Sequence, residues 1–514
     1  FGAEENNAVV LKEKMPLFNP VKPDGTFEDR ITLVAGMHFK EADKVISRKL
    51  KEQGKLFRLE TYLHNYPHDW RKGTPLMQYP MESWFIRTSS IKDRLVALNK
   101  TINWQPETIG TGRFGQWLEN NVDWALSRSR YWGTPLPIWV AENDPEYVEM
   151  IGSVAELREK CGSAVPENFE EVDLHRPYVD QYTWDAPAHI GGKMKRIPDL
   201  IDVWFDSGAM PFAQWHYPFE NKEKFEASFP ADFIAEGVDQ TRGWFYSLHA
   251  IAALVMDNVA FKNVVSNGLL LDEKGEKMSK SKGNVVDPFK ALAEHGADPV
   301  RWYMMSNSQP WEDLKFSFPA LEITKRKFFL TLANTYSFFE TYANVDGFVF
   351  KEERVSVQER AELDRWILSR LNTTLTEVDL AFEAYHPTRA ARAIEQFVDE
   401  LSNWYIRRSR RRFWKSEQDN DKLAAFQTVY ECLEAVSIMM SPIAPFYSDW
   451  LFKALNDTSG KRRADSVHLA DFPAVEKSAL DPDLEHRMGL ARSLTSVVLS
   501  LRNQVQINVR QPLK

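Results

Sequence analysis

DFIAEGVDQTRGWFYSLHAIAALVMDNVAFKNVVSNGLLL, residues 232–271, is the stretch on which the fold turns. The short apolar run Asp232-Phe233-Ile234-Ala235 predicts a buried strand that ends at Glu236-Gly237. Apolar spacing from about Gln240 to Met256 predicts a helix, with Asp239 as its N-cap. Val264 through Leu271 then predicts a second strand. Strand, helix and strand at this spacing make a right-handed crossover between parallel strands. Ligands of open α/β sheets lie beyond the C-terminal strand ends, where Glu236 and Asn267 are expected.

Outward from this unit the organisation changes twice. Residues 1–80 are punctuated by turn signals such as Asn19-Pro20 and Pro23-Asp24-Gly25, and predict a small α+β piece. Within it a helix is expected from Ala42 to Gly54, the glycine suiting its C-terminal cap. Residues 81–320 alternate strand-like and helix-like stretches, whereas 321–475 read as helical throughout. Helices are expected over Leu321–Tyr342, Glu359–Phe382, Pro387–Trp414 and Asp421–Met440, with Pro387 in a first turn. The fold class is therefore α/β followed by an antiparallel helical bundle, and 476–514 begins a further junction region.

A chain of 514 residues is too long for one core. Its net charge of -9 excludes a protein that coats nucleic acid through overall basicity, but not a local basic patch. Two distant cysteines, Cys161 and Cys432, indicate no disulfide framework and a cytoplasmic, reducing compartment. No unbroken apolar run reaches the roughly 18 residues of a membrane span, so no membrane partner is expected. Neither end carries terminus signals, and both are expected to continue into a longer chain.

Three strings carry chemistry. Asp272 to Asn284, DEKGEKMSKSKGN, follows a strand and is bracketed by glycines, which predicts a mobile loop. Its lysines could meet negative charge developing on a leaving pyrophosphate, or form a solvated basic loop. In Glu236 to Phe245, Gln240 and Trp244 stand four apart and are expected on one helix face. Trp244 is either an apolar wall of a pocket or a residue packing the helix on its sheet. Trp404 to Trp414 interleaves Arg407, Arg408, Arg410 and Arg411 with aromatics, which suits RNA or a solvated face with inward rings. Arg128 and Arg130 are open to either phosphate or structural pairing.

Lys277-Met278-Ser279-Lys280-Ser281 matches the Lys-Met-Ser-Lys-Ser signature of class I aminoacyl-tRNA synthetases. Glu-Gly-x-Asp-Gln-x-Arg-Gly-Trp-Phe over 236–245, Asp202-Val203-Trp204-Phe205-Asp206-Ser207-Gly208 and Asn121 to Pro135 resemble the isoleucyl branch, where valyl and leucyl enzymes carry other strings. The resemblance covers essentially the whole chain. It implies the second half of a Rossmann-like catalytic domain at 81–320, a helical tRNA-binding domain at 321–475 and an editing-domain remnant at 1–80. The implied reaction joins L-isoleucine to tRNA(Ile) with ATP and Mg²⁺, in a monomer. Lys277 and Lys280 would steady the phosphates and Met278 would seat the loop near adenine. Glu236, Gly237, Asp239 and Gln240 would hold the adenylate, with Asp239 on the ribose. Asn267 and Gly268 would approach adenine, and Trp204 and Trp244 would line the amino-acid pocket. Arg407, Arg408, Arg410, Arg411 and Trp414 would meet tRNA. A non-catalytic tRNA-binding module is the alternative, and a valyl enzyme the distant one within the class.

Three departures qualify the resemblance. The family's His-Ile-Gly-His signature occurs nowhere, so this chain is expected to be inactive without the half that carries it. Glu5 stands where relatives carry an editing aspartate. Asp69 and Lys72 stand at cysteine positions, and Met150 replaces a thiolate, so no zinc is expected.

Overall fold

The computed structural model describes residues 12–13, 18–61, 63–69, 72–77, 79, 82–279, 282–414, 419–461 and 464–512. Glu5, Lys280 and Ser281 lie outside them. The chain divides into two compact units, Phe1–Phe85 with Ala125–Arg128, and Ile86–Trp124 with Ser129–Lys514.

In the first unit, helix α1 (Phe39–Glu52) ends where Gly54 turns to φ +66 and gives its N–H to Lys51 O at 3.0 Å. The left-handed turn that closes this helix is one that glycine enters without a Cβ penalty. Around the turn signal at Pro23-Asp24-Gly25 the β part of the expected α+β piece reduces to isolated bridges, Val21 with Phe27 and Thr26 with His38.

The second unit holds the crossover. Strands β1 (Asn103–Gln105), β2 (Ala231–Gly237) and β3 (Phe261–Asn267) form a parallel sheet in the order β2-β3-β1. The β2 strand is an edge with outward residues, and Phe233 is 45% exposed, so the expected burial of this strand is corrected. Between β2 and β3 runs α3 (Trp244–Met256), preceded in chain order by a short helix α2 (Val203–Gly208). Phe245, Leu248, Ala250 and Ala252 of α3 pack on Trp104, Phe114, Phe261 and Val264, which buries the apolar face that the sequence pattern announced. Residues Ile138–Ala141, Asp144–Met150, Trp184–Asp185 and Lys193–Arg196 form a separate four-stranded antiparallel sheet around Trp139 and Met194.

The single strand expected from Val264 to Leu271 is two. Strand β3 stops at Asn267, and β4 (Leu270–Leu271) pairs instead with β5 (Leu314–Lys315). Gly268 is the reason. Its N–H donates to Pro310 O at 2.9 Å, and a Cβ there would lie 2.5 Å from the Glu312 carbonyl carbon and oxygen. Backbone cannot yield as a side-chain tip can, so Gly268→Ala is expected to lower stability by about 1–3 kcal/mol. An unchanged urea midpoint for that variant would remove this explanation of the break.

The expected helices appear, with altered interiors. Phe318–Thr324, Lys325–Leu330 and Thr331–Asp346 follow one another, the middle stretch wound as a π-helix. Next come α4 (Glu362–Glu383) and α5 (Pro387–Asp399), which passes through a π-wound Glu400–Ile406 into α6 (Arg407–Trp414). The α7 helix (Asn420–Met440), Pro445–Ser459 and α8 (Pro482–Gln504) complete the bundle. The core joins Trp302, stacked on Phe328 at 4.1 Å, with Trp366, Phe397, Tyr405, Phe413 and most of α7. By length and composition α7 could cross a membrane, contrary to the sequence expectation, but 83% of its apolar stretch is buried in this core. Scattered polar residues interrupt the run without lowering its mean hydropathy below a spanning value.

Candidate functional site

The strand ends converge as the crossover requires. Glu236 pairs in register with Ser266 and Gly237 with Asn267. Among the described residues neither the Glu236 carboxylate nor the Asn267 amide has a hydrogen-bond partner. Uncommitted polar groups at this place in a parallel sheet are free to hold a ligand.

A tight 3-10 turn, Val238–Arg242, leads from β2 into α3. A Cβ on Gly237 would stand 2.6 Å from Asp239 Oδ1, so the carboxylate folds over a position that only glycine leaves open. Asp239 is not the N-cap; the cap position is Gly243. Gln240 does the capping work from within the turn, because its Oε1 accepts the Trp244 N–H at 3.0 Å. Its Nε2 donates to Asp239 Oδ2 at 3.0 Å, so one amide orients both the helix start and the carboxylate. The i,i+4 pair therefore meets through the helix terminus rather than across a helix face.

The two tryptophans part company. Trp244 donates Nε1–H to Ser207 O at 3.0 Å and packs on the core under α3. Trp204, 42% exposed, stands at the start of α2, where Asp202 Oδ1 accepts its N–H at 3.3 Å. Its indole covers Gly243, whose Cβ would meet Trp204 Cη2 at 3.0 Å. The α2 helix lies close on α3 because a Cβ on Gly208 would be 2.8 Å from the Ser247 backbone. Sequence reading passed over Gly208 and Gly243. Their signal was a glycine bordering each aromatic string, after it at Gly208 and before it at Gly243.

The loop after β4 is clasped. Asp272 Oδ1 accepts the N–H groups of Lys274 at 3.0 Å and Glu276 at 2.8 Å, while its Oδ2 accepts from Asn284 Nδ2 at 2.9 Å. The Asn284 bond and the Glu276 N–H hold the Asp272 carboxyl below its ordinary range. Asn284 Oδ1 also accepts the Ser279 N–H at 2.9 Å, tying the two limbs together. Met278 packs with Ala291, Tyr303, Leu314 and Leu321 and anchors the loop in a small core. Lys277 is exposed, and no carboxylate among the described residues pairs with its ammonium.

In the bundle the arginines separate by partner. Arg412 forks onto the buried Asp364 at 2.6 and 2.7 Å. Arg407, Arg408, Arg410 and Arg411 are exposed, as is Trp414. Arg408 lies 3.0 Å above the Trp404 ring, and burial beside Arg407 and Arg492 lowers its guanidinium from the ordinary value. A cavity of about 1070 Å³ opens beside Trp404, Arg407, Arg408 and Arg492, between the π-wound stretch and α8. Its Glu400 and Glu485 carboxylates are paired with Arg370 at 2.9 and 3.0 Å, which leaves Arg407 as uncompensated positive charge.

At the cysteine-like positions, Asp69 Oδ1 accepts the Lys72 N–H at 2.6 Å within a hydrogen-bonded turn. Among the described residues no three His, Cys, Asp or Glu side chains are grouped to hold a metal ion. Arg128 donates to the Ala125 and Ser127 carbonyls at 2.9 and 3.0 Å, whereas Arg130 is exposed.

Residues 29–317 match the family described as tRNA synthetases class I (I, L, M and V), and residues 364–514 match the anticodon-binding domain of tRNA ligase. The isoleucine–tRNA ligase of Cytophaga hutchinsonii is 53% identical over 95% of this chain and 46% of its own length. That of Bacteroides thetaiotaomicron is 51% identical over 97% and 44%. That of Clostridium novyi is 47% identical over 99% and 48%. The chain thus spans about half the length of the curated relatives it matches. Mycobacterium tuberculosis methionyl-tRNA synthetase bound by methionyl-adenylate is similar in fold, with TM-score 0.55 and 20% identity over 81% of this chain and 71% of that one. A ternary complex of Agrobacterium radiobacter LeuRS with tRNA and LeuAMS gives TM-score 0.52 and 18% identity over 79% and 48%.

Proposed function

The chain belongs to the class I tRNA synthetases (I, L, M and V), and on that premise we propose that it serves an isoleucine–tRNA ligase. The observation that carries this reading is the meeting of the Glu236 and Asn267 strand ends with the Trp204 wall at Gly243. The isoleucine carboxylate attacks the α-phosphate of ATP, the bond from the α-phosphorus to the α,β-bridging oxygen breaks, and pyrophosphate leaves with that oxygen. A ribose hydroxyl of tRNA(Ile) then attacks the adenylate carbonyl and AMP departs. Neither step needs a strong acid or base; positioning and charge stabilisation carry the rate.

In this reading Glu236, Gly237, Asp239 and Gln240 hold the adenylate, with Asn267 and Gly268 toward adenine. Trp204 faces the isoleucine side chain, and Trp244 supports that wall from beneath through its bond to Ser207. Lys277 and Lys280 meet the phosphates, and Met278 sets the reach of the loop by anchoring it. Mg²⁺ would accompany the nucleotide and would offset charge on its phosphates beside Lys277. Zinc has no place in the scheme. Arg407, Arg408, Arg410, Arg411 and Trp414 face tRNA(Ile), residues 1–80 end an editing domain with Glu5 on the mischarged amino group, and the protein works as a cytoplasmic monomer.

The test is isoleucine-dependent exchange of pyrophosphate into ATP, by the chain alone and with the N-terminal half of a relative added. Exchange is expected only in the mixture, faster with isoleucine than with valine or leucine. Lys277→Ala should slow it by about 10²–10³, the usual cost of one charge-stabilising donor. Two folded pieces without exchange would favour a non-catalytic tRNA-binding module.

A further inference from the structure

Beside the proposed site stands an aromatic ledge that the scheme above does not use. Trp132 is 68% exposed and Tyr131 66% exposed. The Trp132 ring lies on His175 with centroids 4.6 Å apart and planes 2° from parallel. His175 is held in turn by Asp173, whose Oδ1 accepts its N–H at 2.8 Å and lies 2.9 Å from Nδ1. One face of the indole is therefore backed and the other is open. Arg176 lies over the Tyr131 ring at 5.8 Å.

The charge of the ledge favours an anion. Asp180 is paired with both Arg176 and Arg196 and is neutralised locally, while the Asp173 carboxylate is turned onto the His175 backbone and ring. Arg130 is exposed and has no acidic partner among the described residues. The backbone ties the ledge to the pocket wall, because Thr134 O accepts the Ile201 N–H at 2.8 Å, three residues before Trp204.

We propose that the open face of Trp132 stacks an unpaired nucleotide at the 3′ end of the tRNA substrate, with Arg130 on its phosphate. An exposed backed ring two residues from an exposed arginine suits a single-stranded base and suits a paired helix poorly. The proposal rests on the ligase reading, since that reaction brings a terminal ribose to the adenylate.

The test compares binding of a tRNA(Ile) transcript with the same transcript lacking its unpaired 3′ nucleotides. The unaltered chain is expected to bind the complete transcript about tenfold more tightly. Trp132→Ala should abolish that difference while leaving affinity for the shortened transcript unchanged, and Trp132→Phe should retain most of it. Arg130→Ala should weaken the complete transcript and reduce the salt dependence of its binding by about one counterion. A Trp132→Ala chain that distinguishes the transcripts as well as the unaltered chain overturns the ledge and leaves the ligase reading intact. An unaltered chain that binds neither transcript overturns both.

Discussion

Asp364→Ala should lower the stability of the bundle by about 3–5 kcal/mol, the range for breaking a buried ion pair. Asp364 is 0% exposed and accepts three hydrogen bonds, two from Arg412 at 2.6 and 2.7 Å and one from the Tyr405 hydroxyl at 2.5 Å. Burial, then the Asp364 charge, push the Tyr405 phenol well above its ordinary value, so it remains a donor. Removing the carboxylate leaves that hydroxyl without its acceptor and leaves Arg412 only the more exposed Asp421 at 2.8 Å. An unpaired buried charge costs more than the pair contributes, so Asp364→Leu with Tyr405→Phe and Arg412→Met should recover much of the loss. Urea midpoints of the single and triple variants check both statements, and a single variant within 1 kcal/mol of the parent, on the order of experimental scatter, would rule out the network as a stabiliser. The Arg412 fork also orients α6 and so directs Arg407, Arg408 and Arg411 outward, which predicts weaker tRNA binding by the single variant.

A second large effect is expected from His249, which is 0% exposed in the core beneath α3. Its Nε2 lies 2.9 Å from the Leu95 carbonyl, which can only accept, so Nε2 carries the proton. Nδ1 is buried and unpartnered, with Phe114 edge-on at 5.7 Å. Burial lowers the imidazole from its ordinary 6.5 to about 4, against a weaker opposing pull from the Leu95 bond. The neutral ring is thus the stabilising form. Its contribution is complete above pH 6.5 and is lost progressively as pH falls through the folded value near 4. The loss amounts to about 3 kcal/mol over that window, at roughly 1.4 kcal/mol for each pH unit that separates the two values. His249→Leu is expected to be about 1 kcal/mol less stable at neutral pH through the lost hydrogen bond. Its stability should nevertheless fall less steeply below pH 6.5, so the two curves converge. Parallel curves for the two proteins would exclude His249 as the group that titrates.

Much of the candidate site was legible before the fold was known, because its residues stand in contiguous strings. The 236–245 and 277–281 stretches announce themselves by local residue order, and the crossover places the first of them at the strand ends through a helix of ordinary length. What stayed hidden depends on partners distant in the chain. Local periodicity gave no reason to break the strand at Gly268, since the obstructing backbone belongs to Glu312, 44 residues on.

By itself the sequence determined the parallel crossover, the positions of the bundle helices and the residues gathered at the strand ends, since hydrophobic period and turn chemistry act over a few residues. Only the tertiary structure decided which tryptophan stands exposed over Gly243 and which is tied down, through the Ser207 carbonyl that claims the Trp244 indole. Only it separated Arg412 from its exposed neighbours, because Asp364 reaches that one guanidinium from 48 residues away. Side chains of the same type in one string acquire different roles when packing gives them different partners, and such pairings across the chain leave no local pattern to read.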